Sequence, residues 1–163
     1  MIELTTESLA GIECIHAAPA GQRQTPLPVV LFYHGFTSSK EVYSYFAVAL
    51  AQAGFRVIMP DAEMHGARYQ GDSALRMTRF WEILRQNIDE LPQLEAALRG
   101  NSWIAGQRFA VAGASMGGMT ALGAMARYPH IQSVGCLMGS GYFRQLSEQL
   151  FPPLVAQTPA QQQ

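Results

Sequence analysis

Gly113, Ala114, Ser115, Met116 and Gly117 set one serine between two glycines, after an apolar run over 108–112 and before a segment of small and apolar residues. Strand, sharp turn and helix in that order hold a serine hydroxyl at the top of a sheet with a helix N-terminus beneath it. That strained arrangement suits a nucleophile. Both glycines are needed because so tight a turn leaves no room for side chains beside Ser115. A second group of residues points the same way. Acyl transfer requires two backbone N–H donors about 3 Å from the developing oxyanion. Met116, next after the serine, offers one; Phe36, behind the permissive Gly35 in His34-Gly35-Phe36, offers the other. The side chains at 36 and 116 are then free to line an acyl pocket.

The elements that must position these groups follow from the hydrophobic pattern. Residues 28–33 are a continuous apolar run, the mark of a parallel strand covered on both faces. Ser38 and Glu41 have capping-box spacing, and Val42, Tyr45, Phe46, Ala49, Leu50 and Ala53 share one face of the helix that follows. Gly54 ends that helix, with Phe55 folding back on Leu50. A strand over 55–59 closes at Pro60-Asp61, giving a strand–helix–strand crossover. Residues 61–73 read as a polar loop. A long helical stretch then carries Phe80, Trp81, Leu84, Ile88, Leu91, Leu94 and Leu98, with Pro92 expected to kink or split it. Gly106-Gln107 belongs to a loop before the strand at 108–112. A strand over 133–138, a short helix over 142–150 and a disordered tail over 152–163 complete a single α/β domain, 1–163, with a mostly parallel sheet.

The chain has 163 residues, a net charge of −1, 48% hydrophobic residues and only 14% charged residues, against about 25% charged in typical domains. No basic cluster recommends nucleic acid. No apolar run reaches the ~18 residues of a membrane span, and no basic-then-apolar leader opens the sequence. Cys14 and Cys136 read as buried free thiols, which favours the cytoplasm.

With these motifs the chain resembles the α/β-hydrolases, and among them the small bacterial serine esterases related to dienelactone hydrolases and prolyl oligopeptidases. The resemblance rests on the 28–33 strand with its His34-Gly35-Phe36-Thr37-Ser38-Ser39 loop, on 57–61 with His65-Gly66, on the Ser115 turn, and on Met138-Gly139-Ser140-Gly141. It implies hydrolysis of a small-molecule carboxylic ester through an acyl-enzyme on Ser115. Phe36 and Met116 would be the oxyanion donors, with no cofactor or metal. The chain departs from the family in one respect. Family order places an acid and then a histidine downstream of the serine. After Ser115 there is no Asp, one Glu (Glu148) and one His (His130), which lies near the opposite rim of the sheet. The expectation is an N-terminal portion ending after the sixth of eight strands, with a nucleophile and oxyanion hole but no base.

Other roles are weaker. His34 reads as a buried brace for its loop rather than the base. Asp61, Glu63 and His65 are too few for a metal set, so Asp61 and His65-Gly66 shape the pocket rim instead. Arg68 and Tyr69 line the entrance, Phe80 and Trp81 belong to the core, and His16 sits in an early strand. An uncharged, aromatic rim favours small uncharged esters. Two alternatives stand beside an esterase: a peptidase of prolyl-oligopeptidase type, and an incompetent remnant that binds a partner. Shortening would expose strand 133–138 as an edge open to self-association.

Overall fold

The computed structural model describes residues 1–131 and 133–137. The expected helix over 142–150, the tail over 152–163 and Met138 to Gly141 lie outside the described residues. Among the described residues, six strands form one sheet in the order β1-β2-β4-β3-β5-β6. β1 (Ile2–Leu9), β2 (Ile12–Pro19) and β4 (Arg56–Pro60) pair antiparallel as β1/β2 and β2/β4. β3 (Leu27–Tyr33) pairs parallel with β4 and with β5 (Ile104–Ala114), and β6 (Val134–Leu137) adds in parallel to β5.

The alternation of β3 explains why its sequence is apolar throughout. Val29, Leu31 and Tyr33 enter one core with Leu91, Leu94 and Leu98 of α3 (Phe80–Gly100) and Ala121 and Ala124 of α4 (Met116–Arg127). Val30 and Phe32 enter the other, with Phe46, Ala47, Leu50 and Ala51 of α1 (Ser44–Gln52). Both faces are covered, so no position on the strand is polar. A short α2 (Ser73–Thr78) precedes α3.

Several expectations fail for identifiable reasons. The first helix begins as a 3₁₀ turn over Lys40–Tyr43 whose N-cap is Ser39, without a side-chain capping bond, so the expected Ser38–Glu41 capping box is not used. The tighter turn rotates the apolar face, leaving Val42 57% and Tyr45 50% exposed while Ala47 and Ala51 are buried. Trp81 is 68% exposed and is not core, whereas Phe80 packs inward. Pro92 does not split α3. The carbonyl it orphans is that of Ile88, four residues back, and the Tyr128 hydroxyl donates to that oxygen at 2.8 Å. Gly106-Gln107 lies within β5, where the register against β3 shifts between Leu27 and Val29. The Phe55 N–H closes on the Leu50 carbonyl at 3.1 Å, as the Gly54 stop implied.

Arg56 is fully buried, although a strand cation would ordinarily face water. Its guanidinium donates to the carbonyls of Trp103, Arg23, Gln22 and Thr25 and to His16 Nε2, and lies over the Trp103 ring. Desolvation lowers its pKa to about 10. His16 in turn bonds Glu7 through Nδ1 at 2.7 Å. Cys14 and Cys136 are both buried free thiols, and burial pushes them up to about 12 and about 11.

Candidate active site

The turn between β5 and α4 has the predicted strain. Ser115 takes φ 54° and ψ −114°, a region that L residues other than glycine rarely enter, and its side chain is exposed. Steric contact explains the flanking glycines. A Cβ on Gly117 would lie 2.0 Å from the Tyr33 carbonyl oxygen, and one on Gly113 would lie 2.2 Å from the Gly117 carbonyl group. Neither atom can be added without moving main chain. Met116 is the first residue of α4, so its N–H is one of those the helix itself leaves unpaired. Thr120 and Asn87 hold this first turn: Asn87 Nδ2 donates to Thr120 Oγ1 at 3.2 Å, and the Thr120 hydroxyl donates to the Met116 carbonyl at 3.0 Å.

The loop after β3 reaches the same place. A Cβ on Gly35 would meet Ser115 Cβ, the Ala114 carbonyl oxygen and the Tyr43 hydroxyl, each at 3.4 Å. The His34-Gly35-Phe36 loop therefore stands directly beside the serine turn. The Ser38 N–H closes a turn on the Gly35 carbonyl at 3.1 Å, and Thr37 within that turn takes φ 66°. Phe36 is half-buried and meets Phe80 edge-on at 5.0 Å. The Met116 side chain is fully buried among Ala62, Ile83 and Leu84, so it packs the floor and does not line an open pocket.

His34 and His65 connect this loop to the one after β4. His34 Nδ1 donates to the Gly35 carbonyl at 2.8 Å, and its Nε2 accepts the Ala62 N–H at 3.0 Å. His65 Nδ1 donates to the Glu63 carbonyl at 2.8 Å, and its Nε2 accepts the Thr37 N–H at 2.8 Å. Each histidine thus caps a backbone donor of the other's loop, and both are fixed as neutral Nδ1–H tautomers. Burial lowers the pKa of His34 to about 4 and also depresses that of His65. With both ring nitrogens engaged, His65 has no lone pair to offer a metal.

A buried ion cluster fastens the same loops. Lys40 Nζ meets Asp61 Oδ2 at 2.6 Å, and Glu13 and Glu41 at 2.8 and 3.0 Å. Desolvation opposes the charge on Lys40, but hydrogen bonds to these three carboxylates hold its pKa above the ordinary range. Asp61 also accepts the N–H groups of Lys40 and Ala67. A Cβ on Gly66, which has φ 53°, would fall 2.2 Å from that carboxylate.

Sequence reading missed Lys40 and Thr37. A lysine in a polar stretch gives no sign of burial, and a threonine gives none of a left-handed backbone. Beside the second loop lies a cleft of about 490 Å³ lined by Glu63, Met64, Arg68, Gln70, Leu75 and Arg79, so the rim carries charge, contrary to expectation. Arg68 lines it but is held by Glu90 in two bonds of 2.8 and 2.7 Å. Tyr69 lies under the Arg76 guanidinium. His130 is placed far from the serine turn, bonded to Glu95 at 2.8 Å.

Comparison with known proteins places these features in context. The family described as serine aminopeptidase, S33, matches residues 24–160. Esterase YjfP of Escherichia coli K12 is 57% identical over 162 residues, which cover 99% of this chain and 65% of that protein. The putative esterase YitV of Bacillus subtilis 168 is 36% identical over 150 residues, covering 91% and 59%. The chain therefore spans less than two thirds of the length of either relative. A solved structure of a putative dienelactone hydrolase from Klebsiella pneumoniae superposes with a TM-score of 0.63 at 18% identity, over 82% of this chain and 58% of that one.

Proposed function

Because the chain belongs to the serine aminopeptidase (S33) family within the α/β-hydrolases, we propose that it carries the nucleophile half of a serine esterase acting on short-chain carboxylic esters. Ser115 attacks the ester carbonyl, the alcohol leaves, and water releases the acid from the acyl-enzyme. The Phe36 and Met116 amides hold the oxyanion. The observation that carries this reading is the strained φ of Ser115 directly beside the Gly35 backbone. Esterase is favoured over peptidase because both curated relatives bear that name.

A base is the remaining requirement. The sequence has four histidines, and all are engaged: His16 with Glu7 and Arg56, His34 and His65 with the loops, His130 with Glu95. Rapid turnover therefore needs a histidine that these 163 residues do not contain. The test uses the protein isolated from its natural source, with intact mass read before and after a fluorophosphonate probe. One adduct that disappears in Ser115→Ala, with ester turnover falling by a factor of about 10⁴ or more, is the expected result. An unmodified protein would remove the catalytic reading and leave a binding role.

A further inference from the structure

The loop that carries Phe36 is held from two sides, and the two holds act on different peptide planes. The first plane joins Gly35 to Phe36. Its carbonyl accepts both His34 Nδ1 at 2.8 Å and the Ser38 N–H at 3.1 Å. In a trans peptide the N–H points away from the carbonyl, so the Phe36 N–H faces the side opposite this doubly held oxygen. The second plane joins Phe36 to Thr37. Its N–H is the one His65 accepts at 2.8 Å. Residue 36 is thus fixed at both flanking planes, one by each histidine.

The second hold acts against strain. Thr37 sits at φ 66°, a left-handed conformation that a β-branched residue adopts only under strain. In that conformation the Thr37 N–H donates to His65, and the next N–H, that of Ser38, closes the turn on the Gly35 carbonyl. His65 is itself set from below: Gly66 and Ala67 sit on the Asp61 carboxylate, which Lys40 anchors. The His65 ring also meets the Phe36 ring at 5.5 Å.

We propose that His65, which lies on the neighbouring loop and touches no reacting atom, is a positioning residue that keeps the Phe36 N–H aimed at the oxyanion by holding Thr37 in its left-handed conformation. This rests on the ester-hydrolase reading above. Without the Nε2 acceptor, Thr37 relaxes toward negative φ, and the plane carrying the donor turns with it. A glutamine, whose side-chain oxygen can accept the same N–H, keeps part of the hold.

The experiment makes His65→Ala, His65→Gln and the double variant Thr37→Gly/His65→Ala in the protein as its natural source produces it and compares each with that protein unaltered. It uses p-nitrophenyl acetate turnover and amide hydrogen exchange at Phe36, Thr37 and Ala62. In His65→Ala, kcat is expected to fall about 10- to 100-fold with KM little changed, because a donor is misaimed and not removed. Thr37 exchange accelerates while Ala62, capped by His34, stays protected. His65→Gln recovers most of kcat. Thr37→Gly shrinks the His65→Ala loss, since glycine holds positive φ without help. An unchanged kcat despite a released Thr37 amide overturns the proposal. So does a loss that Gln does not restore and that releases Ala62 equally, which is general loosening. If the wild type turns over no ester, the ester-hydrolase reading fails by itself. The clamp is then judged on exchange alone, and a Thr37 amide still protected in His65→Ala overturns it.

Discussion

The two halves of the candidate site are built by opposite means. The Ser115 turn depends on missing atoms: Gly113 and Gly117 let main chain approach main chain at distances no Cβ could survive. The paired loops after β3 and β4 depend on polar atoms that are present, namely His34, His65, Lys40 and Asp61, each engaged with backbone or with one another. A site made by exclusion admits no substitution, whereas a site made by hydrogen bonds admits any side chain that offers the same acceptor or donor. The first is rigid by sterics and indifferent to solution conditions. The second is conditional on protonation.

The largest expected effect falls on the turn. Gly117→Ala places a methyl 2.0 Å from the Tyr33 carbonyl oxygen, and a loss of roughly 4 kcal/mol or more in urea unfolding is expected. A normal midpoint for this variant would break the contrast, because it would show that the turn yields. Next comes the ion cluster. Lys40→Met leaves the fully buried Asp61 carboxylate without its cation, at a cost of about 3–5 kcal/mol. Adding Asp61→Asn, which removes the charge but keeps an oxygen for the backbone N–H groups of Lys40 or Ala67, should recover part of that, and a double variant no better than the single one would show that the charge on Asp61 is not what the lysine offsets.

The smallest effect is the dependence on pH. His34 has a folded pKa of about 4 against 6.5 unfolded, and that of His65 is lowered as well. In that window the unfolded chain binds protons that the folded chain refuses. For His34, stability is therefore full above 6.5 and falls by about 1.4 kcal/mol per unit as pH drops toward 4, which is about 2 kcal/mol between pH 6.5 and 5; His65 adds to the loss in the same direction. Urea midpoints at pH 7, 6 and 5 read this slope, and His34→Gln should flatten it. A slope unaltered in that variant would place the acid sensitivity elsewhere, with His65 and His16 the next groups to examine.

What the sequence made legible follows the same division. The turn could be read because its residues are contiguous and its glycines are required by local geometry. The strands could be read because burial on both faces forbids polar residues at any position of β3. The buried cations could not. Lys40 meets Asp61 across 21 positions, and Arg56 reaches the Trp103 carbonyl across 47, so nothing near either cation announces its burial. Local patterning also misled where one turn of 3₁₀ helix shifted the face of α1, and where Tyr128 satisfied the carbonyl that Pro92 left free. Sequence reading marked Ser115 as the expected nucleophile and His34 as a brace of its loop, but not the buried Lys40 or the left-handed Thr37 beside them.

The contact between Gly117 and Tyr33 also makes α4 a lever with its fulcrum close to one end. Ser115 sits two residues from that fulcrum, about 3 Å along the axis, while Arg127 at the far end of α4 lies about 15 Å away. A sideways shift of the far end reaches the serine reduced about fivefold. The Tyr128 hydroxyl grips α3 at that far end, where a bond has the longest arm against a tilt of the helix. The serine therefore occupies the short arm of its own helix, and a disturbance that enters through Tyr128 reaches it attenuated.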